Sequence, residues 1–327
     1  MGKVRFSIIC PVYNSQDFLP DCIDSVLNQS IDCWELILIN DGSTDDSPNI
    51  CNYYAEKYKK IHVIHKKNQG QYHARIDGLR ASKGKYVIFL DSDDLLSKDC
   101  LEQLSRFDNK ADLLVFNMKS FSNDGNAIRT FYSIDSYREY ADSDVSRFFY
   151  YESFIFNLCR CCFNINLFTN DVFSPSEFSK SKIGEDSIFL EKVLKNVKSV
   201  YTIPLELYYY RMHSNSATHL ISFENAVSRV KVLDYLYRNI EVDVDKDRKV
   251  LDRLTWPILT SAFYTALANK YSAFKKNVLS LYNFNIYKNY FYKFESKSRF
   301  YRFMAKLLYK QHLIFFYFMT RLNKRKV

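Results

Sequence analysis

The chain has 327 residues, 47% of them hydrophobic and 17% aromatic, which suffices for one large domain or for one domain with an appendage. Only seven Gly and six Pro are present, without repeats or low-complexity runs, so long disordered tracts are excluded. Residues 261–327 hold 14 Lys and Arg and one acidic residue, Glu295, a net charge of +13; the whole chain carries +9, so residues 1–260 sum to −4. This asymmetry indicates an anionic partner, either a membrane surface or a nucleic acid.

The eight cysteines include no second pair at the spacing of a zinc site, so we expect them to be reduced and buried in a cytosolic protein. We expect no secretory signal, because the first core strand begins near Phe6. The longest uncharged apolar run, residues 313–319, is too short to span a bilayer.

The first part of the chain alternates between short apolar strands and helices. Strands are predicted at FSIICPVYN, WELILIND, IHVIHKK and KYVIFLD. Helices are predicted at LPDCIDSVLNQ, from Pro48 to Tyr58, and at GQYHARIDGLRAS, where Gly84 suits the C-cap. This alternation predicts βαβ units and a parallel sheet covered on both faces.

The later elements are more widely spaced. ADLLVFNMKSF predicts a strand, GEDSIFLEKVLKNVKSV an amphipathic helix, and YTIPLELYYYRMHSNSAT a strand that runs into a polar loop. Residues 125–180 are aromatic and give no clear assignment, and the chain beyond 221 is predicted to be helical. We therefore expect a domain over 1–220, with halves 1–110 and 111–220, and a helical region over 221–327.

An acidic cluster follows the strand in YVIFLDSDDLL: Asp91, Ser92, Asp93 and Asp94. Carboxylates this close raise the cost of ionising one another. One interpretation is a solvated turn that opens a helix. The other is a hard divalent cation that carries a phosphorylated substrate, because ligands of open α/β sheets lie at the carboxyl ends of strands.

Four polar clusters follow predicted strands or open a helix: PVYN, NDGSTD, DSDD and GED. Each alone is ordinary turn chemistry. All four, in this order and in a parallel α/β pattern, form a strong combined signal.

With these motifs the sequence resembles the family 2 glycosyltransferases of the GT-A fold. The stretches that carry the resemblance are IICPVYNSQDFLPDCIDSVLNQS, ELILINDGSTDDS, NQGQYHARIDGL, GKYVIFLDSDD, GEDSIFLEKVL and YYYRMHSNSAT. The match is specific over residues 5–110, sparser over 184–218, and says little of 120–180 or 225–327. It implies an α/β, Rossmann-like, mostly parallel mixed sheet flanked by helices, followed here by a basic, helical C-terminal region.

The resemblance implies a nucleotide site. Pro11 and Tyr13 would frame the base, Asp41 would accept a hydrogen bond from uracil, and Asp91 would lie near the ribose. Arg75 would lie near the nucleotide; its alternative is a surface-helix arginine. The remaining nucleotide-binding candidates are Asn14, Gly42, Ser43, Ser92, Arg211 and His213. The last two stand where the family has a basic loop over the diphosphate, although a polar loop with incidental charges is the alternative.

The resemblance also implies a cation, Mn²⁺ or Mg²⁺. Asp93 would hold it on the diphosphate together with Asp91, and Asp94 and His213 are further candidates. Asp94 could equally support the site from behind or cap the next segment. Lys98 replaces a proline that is frequent in the family, so the loop after the metal site can differ. A cation would offset the repulsion within the acidic cluster.

Sugar transfer needs a base for the acceptor hydroxyl. Asp186 aligns with the base of inverting members, and Glu185 is its support; the alternative is that both only favour a helix N-terminus. An inverting reaction would turn an α-linked UDP-sugar into a β-linked product. His62 and His65 are expected to be structural, and His73 is a candidate for the acceptor side.

Three other readings compete with an active glycosyltransferase. A nucleotidyltransferase would favour a glycine-rich N-terminal loop, but PVYNSQDFLPD has no glycine. A nucleic-acid-binding protein could use the basic, aromatic C-terminal end. An inactive family member is disfavoured by the intact DSDD and GED.

We expect transfer of a hexose-type sugar to a saccharide or lipid-linked saccharide in bacterial capsule, exopolysaccharide or lipopolysaccharide assembly. The donor sugar depends on the poorly matched middle region. The apolar positions of FYRFMAKLLYKQHLIFFYFMTRL are spaced helically, which predicts a basic amphipathic helix at an anionic membrane surface rather than nucleic-acid binding. The protein would then be cytoplasmic and peripheral on the inner face of the plasma membrane. The alternative is that these helices pack on the catalytic domain or on a second subunit in a homodimer.

Overall fold

The computed structural model describes residues 3–122, 127–131, 134–141, 145, 157–174, 184–213 and 222–239, with 258, 276–277, 279–281 and 284. The chain divides into two compact units, Met1–Ser216 and Ala217–Val327. The predicted helices beyond residue 239 lie almost wholly outside the described residues, as does much of the aromatic middle region.

Every element predicted in the first part of the chain is present, but the helix predicted at GQYHARIDGLRAS ends at Ala81 with Ser82, and not Gly84, as its C-cap. The order is β1 (Phe6–Val12), α1 (Leu19–Leu27), β2 (Trp34–Asp41), α2 (Ser47–Lys57), β3 (Ile61–Lys66), α3 (Gln71–Ala81) and β4 (Tyr86–Phe89). β1, β2 and β4 are buried along their whole length. Burial on both faces explains why these strands have continuous apolar runs and no alternation.

The second part adds shorter elements. They are β5 (Leu95–Leu96), α4 (Cys100–Ser105), β6 (Leu113–Ser122), β7 (Ala127–Phe131), β8 (Arg138–Ala141), β9 (Cys161–Asn164), α5 (Asn170–Phe173), α6 (Glu185–Leu194) and β10 (Ser199–Met212). Single 3₁₀ turns at Leu158–Arg160 and Ile165–Leu167 flank β9. The sequence did not predict β9, since a four-residue strand is too short to show a period.

The described strands form one mixed sheet in the order β3-β2-β1-β4-β9-β6-β10-β5, with β7 beside β6 and β8 beside β10. The extended pairings β1–β2, β2–β3 and β6–β10 are parallel, whereas β9 runs antiparallel to both β4 and β6. This confirms the predicted mostly parallel sheet flanked by helices. The carboxyl ends of β1, β2 and β4 meet at one edge of the sheet.

The core lies on both faces of the sheet. One face buries α1 and α4 against alternate strand residues such as Ile8 and Leu36. The other buries α3 and α6 against residues such as Ile9 and Phe89. Because α3 and α6 share a face, side chains near their first turns can meet beside the carboxyl end of β4.

The second unit is described chiefly by α7 (Phe223–Asn239), where Ala226, Val230 and Leu233 are buried at helical spacing. In the described part of the chain, no helix is both long and apolar enough to cross a membrane. All eight cysteines are free thiols, and all but Cys33 are buried.

Candidate active site

The acidic cluster forms a tight loop, residues 91–94, at the carboxyl end of β4. The amide of Asp94 donates to the carbonyl of Asp91 at 3.0 Å, which closes a turn. Ser92 is buried, with its Oγ 2.6 Å from the Oγ of Ser15. The loop that follows β1 therefore touches this acidic loop.

Asp94 is buried and faces β10. Its Oδ2 accepts from the Tyr208 hydroxyl at 2.6 Å, and its Oδ1 accepts from the Arg211 amide at 2.7 Å. The same Tyr208 oxygen accepts from the amide of Asp91 at 3.2 Å. Burial, and then the neighbouring charge of Asp93, hold the pKa of Asp94 well above its usual range. Both oxygens of Asp94 are thus engaged within the protein.

The Asp91 carboxylate is held from two elements, α3 and the 3₁₀ turn before β9. Its Oδ1 accepts from Arg75 Nη2 at 3.0 Å and from Gln71 Nε2 at 2.7 Å, and its Oδ2 lies 3.5 Å from the thiol of Cys159. Sequence reasoning missed Gln71, Cys159 and Tyr208, since no local motif marks them.

Asp93 faces His213 at the end of β10. Its Oδ2 lies 2.8 Å from His213 Nε2. Burial, and then the charge of Asp91, raise the pKa of Asp93, while His213 opposes the rise. The ring of His213 packs on Phe18, with centroids 4.8 Å apart.

The carboxylate oxygens of Asp93 and Asp91 suit a hard cation that takes its other ligands from a phosphate. His213 Nδ1 is buried and accepts or donates no hydrogen bond among the described residues. Within those residues, no three His, Cys, Asp or Glu side chains are grouped to hold a metal ion. Mg²⁺ is commonly bound by one or two carboxylates plus substrate phosphates, so Asp93 and Asp91 fit a cation of that kind and not an all-protein cage.

Arg211 lies behind the acidic loop. Its Nε donates to the Asp93 carbonyl at 2.9 Å, and its Nη2 to Asp21 Oδ2 at 3.0 Å. The guanidinium lies over the rings of Phe18 and Phe121, at 5.2 and 4.7 Å from their centroids. A buried, paired arginine is not an incidental charge on a polar loop, so that alternative is wrong for Arg211.

The loops after β1 and β2 hold each other. Asn14 has a positive φ of 50°, and its Oδ1 accepts from the Thr44 amide at 2.8 Å. The Asn14 amide in turn donates to Ser43 Oγ at 3.1 Å. Beside them Pro11 is buried, whereas Tyr13 is 52% exposed and leaves a ring face free for stacking.

Asp41 ends β2 as a buried carboxylate. It accepts from the amides of Gln69 and Gly70 at 2.9 and 2.7 Å. Gly42 follows with a φ of +72°, and a Cβ there would lie 2.8 Å from the amide nitrogen of Asn68. Asp41 and Gly42 therefore fix the loop before α3.

Glu185 and Asp186 open α6 after Gly184, whose φ is +87°. Glu185 is buried; this burial, and then the charge of Asp186, raise its pKa to about 8. Burial also raises the pKa of Asp186, and Arg75 opposes that rise. Glu185 therefore keeps its proton to a higher pH than an ordinary glutamate.

Arg75 joins the two acidic groups. Its Nη1 donates to Asp186 Oδ1 and lies 4.0 Å from Glu185 Oε1, while Nη2 donates to Asp91. Its side chain is 1% exposed, so the alternative of a surface-helix arginine is wrong. Burial lowers the pKa of Arg75, but Asp186 and Asp91 raise it more strongly, so the guanidinium stays charged.

The histidines of the first half have local partners. His65 lies 2.9 Å from both Asn40 and Asn52 through its two ring nitrogens, and His62 lies 3.6 Å from Glu35. The ring of His73 donates to the Gln69 carbonyl at 3.0 Å.

Comparison with known proteins places this arrangement in a family. Residues 7–166 match the family model described as glycosyl transferase family 2. Glycosyltransferase GlyA of Streptococcus pneumoniae serotype 4 is 32% identical over 221 residues, which cover 66% of this chain and 32% of GlyA. The poly(ribitol-phosphate) beta-glucosyltransferase of Bacillus spizizenii is 34% identical over 128 residues, or 37% of this chain and 20% of that enzyme. The aligned part spans less than two thirds of either relative.

Solved structures agree on the fold. The crystal structure of S. aureus TarS, residues 1–349, in complex with UDP superposes with a TM-score of 0.71, covering 99% of this chain and 92% of that one at 18% identity. On its sequence motifs, its matching relatives and the family model, residues 7–166 of the chain form a glycosyl transferase family 2 domain.

Proposed function

We propose that this protein transfers a hexose-type sugar from a UDP-sugar to a hydroxyl of a saccharide or lipid-linked saccharide, with inversion at the anomeric carbon. The observation that carries the proposal is the meeting of two acidic groups around one buried guanidinium. Asp91 belongs to the proposed sugar-donor site, Asp186 is the proposed base, and Arg75 contacts both.

The nucleotide would lie over the carboxyl ends of β1, β2 and β4. Tyr13, beside Pro11, offers a ring that is 52% exposed to the base, and Asp91 would lie near the ribose. Asn14, Gly42, Ser43 and Ser92 shape the loops around it. Asp41 keeps its predicted role toward uracil as a proposal; in the structure its carboxylate accepts from two amides, and it has lone pairs left for a further donor.

Asp93 and Asp91 would hold Mn²⁺ or Mg²⁺, with His213 beside them. When bound, such a cation would neutralise the charge that develops on the leaving diphosphate. Asp94 and Arg211 are buried and paired within the protein, so we assign them to holding the acidic loop in place, whereas Asp91 and Asp93 are 27% and 29% exposed. The proposed metal ligands are then Asp93 and Asp91, with His213 beside them. Arg211 supports the acidic loop next to the proposed diphosphate site.

The chemistry is a single displacement. The acceptor hydroxyl gives its proton to the Asp186 carboxylate while its oxygen forms a bond to the anomeric carbon. The bond from that carbon to the β-phosphate oxygen breaks, and its electron pair leaves with UDP. Attack from the face opposite the leaving group turns an α-linked donor into a β-linked product, and Glu185, neutral and buried, supports the base.

The acceptor is proposed from the relatives. The name of the Bacillus spizizenii relative is that of a glucosyltransferase acting on a poly(ribitol-phosphate). By analogy, the acceptor here belongs to capsule, exopolysaccharide, lipopolysaccharide or a related cell-surface polymer. We place the enzyme at the inner face of the plasma membrane through residues 261–327, whose charge is +13.

A donor screen tests the proposal. The full-length protein is heated with a panel of UDP-sugars in the presence of Mn²⁺, and the sugars that raise its melting temperature are offered with acceptor saccharides. Proton NMR of the product reads the anomeric configuration. We expect one UDP-sugar to be protective and to yield a β-linkage; protection by no nucleotide-sugar, or an α-linked product, would contradict the proposal.

A further inference from the structure

Arg75 occupies a position that contact with a nucleotide alone does not explain. It lies on α3, one helical turn after Gln71, and its guanidinium reaches two different parts of the chain. Nη2 donates to Asp91 in the acidic loop at 3.0 Å, and Nη1 donates to Asp186 at the start of α6. The two carboxylates come from elements far apart in sequence, and Arg75 is the bridge between them.

The bridge is desolvated. The Arg75 side chain is 1% exposed, and its guanidinium also lies over the ring of Phe89 at 5.8 Å. Among the described residues, Arg75 is the one basic side chain within 4.0 Å of Asp186. Charge-assisted contacts of this kind are strong and directional, because the planar guanidinium presents its N–H groups in a fixed fork.

Resting on the proposed function, we infer that Arg75 is a positioning residue for the general base. It fixes where the carboxylate of Asp186 stands relative to the donor side, and so sets the geometry of attack on the anomeric carbon. A displacement of about 1 Å in such a group can cost about 100-fold in rate, even when ligands still bind. Arg75 remains protonated throughout and gives no proton to the reaction.

A lysine cannot reproduce this bridge. Its ammonium is a single point charge on a flexible stem, whereas the guanidinium reaches Asp91 and Asp186 with separate nitrogens. Arg75→Lys therefore keeps the positive charge near the nucleotide but releases the base from its place. Arg75→Gln removes the charge as well.

The experiment separates binding from turnover in the full-length enzyme with Mn²⁺. UDP affinity is measured by calorimetry, and kcat is measured at saturating donor, for wild type, Arg75→Lys and Arg75→Gln. The matched control is Arg80→Ala, since Arg80 lies on the same helix, 61% exposed, in an ion pair with Asp77 at 3.3 Å. We expect Arg75→Lys to keep UDP affinity within about threefold and to lose about 100-fold in kcat, while Arg80→Ala stays at wild-type values for both.

The pH dependence supplies a readout that a structural role would not move. Four groups act on the carboxylate of Asp186. They are Arg75 on α3, Asp91 in the acidic loop, the thiol of Cys159 in the 3₁₀ turn before β9, and Glu185 on the same helix as Asp186. Arg75 lowers the pKa of Asp186, so its removal raises that pKa. The acid limb of the kcat profile should therefore move to higher pH in Arg75→Gln.

A double variant completes the test. If Arg75 acts through Asp186, Arg75→Lys should cost little further activity in an Asp186→Asn background. Three outcomes would overturn the inference. The Arg75 variants could lose UDP affinity and kcat equally, the effects of Arg75→Lys and Asp186→Asn could be fully additive, or both Arg75 variants could lose the melting transition. Failure of the proposed function is distinguishable, because wild type and Arg80→Ala would then also fail to transfer sugar.

Discussion

At the scale of single residues, we expect cation binding to depend on Asp93. Its carboxylate lies at the open side of the acidic loop, while Asp94 is turned into the protein. We predict that Asp93→Ala abolishes the Mn²⁺-dependent part of UDP binding, because the carboxylate that would bridge protein and cation is gone. Calorimetry with UDP, with and without Mn²⁺, measures this; Asp135→Ala, at a side chain 82% exposed, is the control. Unchanged affinity in Asp93→Ala would remove Asp93 from the metal site.

Asp186 should affect turnover and leave binding intact. Asp186→Asn keeps the shape of the side chain and can accept from Arg75, but cannot take the acceptor proton. We predict UDP affinity close to wild type and a loss of at least about 100-fold in transfer, the usual weight of a general base. Activity within a few-fold of wild type would place the base elsewhere, and collapse of UDP binding would make Asp186 structural.

We expect Glu185 to make the free energy of unfolding depend on pH. Burial, and then Asp186, raise its pKa to about 8 in the folded protein, whereas a glutamate of the unfolded chain ionises near about 4.3. Between these values the folded state binds more protons, so this group makes the free energy of unfolding fall as pH rises. In Glu185→Gln that contribution is absent.

We therefore predict that the melting temperature of Glu185→Gln, relative to wild type, increases between about pH 5 and about pH 8. Glu56→Gln, at an exposed position of α2, should show no such trend. A constant difference across the range would mean that Glu185 is already ionised in the folded state.

At the scale of elements, the C-terminal half of β10 holds the acidic loop. Tyr208 bridges Asp94 and the amide of Asp91. We predict that Tyr208→Phe costs about 1–3 kcal/mol of stability, since it leaves buried polar groups unpaired, and that it weakens Mn²⁺-dependent UDP binding. The neighbouring Tyr209→Phe is the control, because the Tyr209 ring contacts Lys119 instead, with the Lys119 Nζ 4.7 Å from the ring centroid. Equal thermal and binding effects in the two variants would contradict the role of Tyr208.

The sequence predicts those parts of the site that lie within one strand-loop-helix unit. Asp93 and Asp186 could be named because each follows a recognisable strand end or helix start, and parallel strands bring such ends to one edge. Tyr208 and Cys159 could not, since they reach the acidic loop through strand pairing across the sheet. β10 also carries irregularities in its pairing with β6 between Ile203 and Tyr208, and these decide which of its side chains face the loop.

Asp94 illustrates the limit of motif reading. The sequence offers it as a candidate ligand, because it stands beside Asp93 in an acidic run. In the structure the turn closed by its own amide points its carboxylate to Tyr208 and the Arg211 amide. Which of two adjacent carboxylates faces outward depends on a partner more than a hundred positions away, and no local pattern records that.

At the scale of the whole molecule, charge separates the two ends of the chain. Residues 261–327 carry +13 and residues 1–260 carry −4. Basic residues close to an anionic leaflet contribute roughly 1 kcal/mol each, and this attraction weakens with salt. The helices predicted there lie almost wholly outside the described residues, so their membrane role stays a prediction.

We predict that the full-length protein binds anionic liposomes and not neutral ones in flotation, and that binding falls as salt is raised. Removing residues 296–327 should weaken this binding and slow transfer to a lipid-linked acceptor, while UDP affinity persists, because the nucleotide loops belong to the first unit. The competing arrangement has the same helices covering apolar surface of this chain or of a second copy. If full-length protein ignores anionic liposomes and the truncated form loses its melting transition, the C-terminal region is a folding or dimerisation element. Should the full-length protein instead float with neutral and anionic liposomes alike, insertion of apolar side chains and not charge would hold it at the membrane.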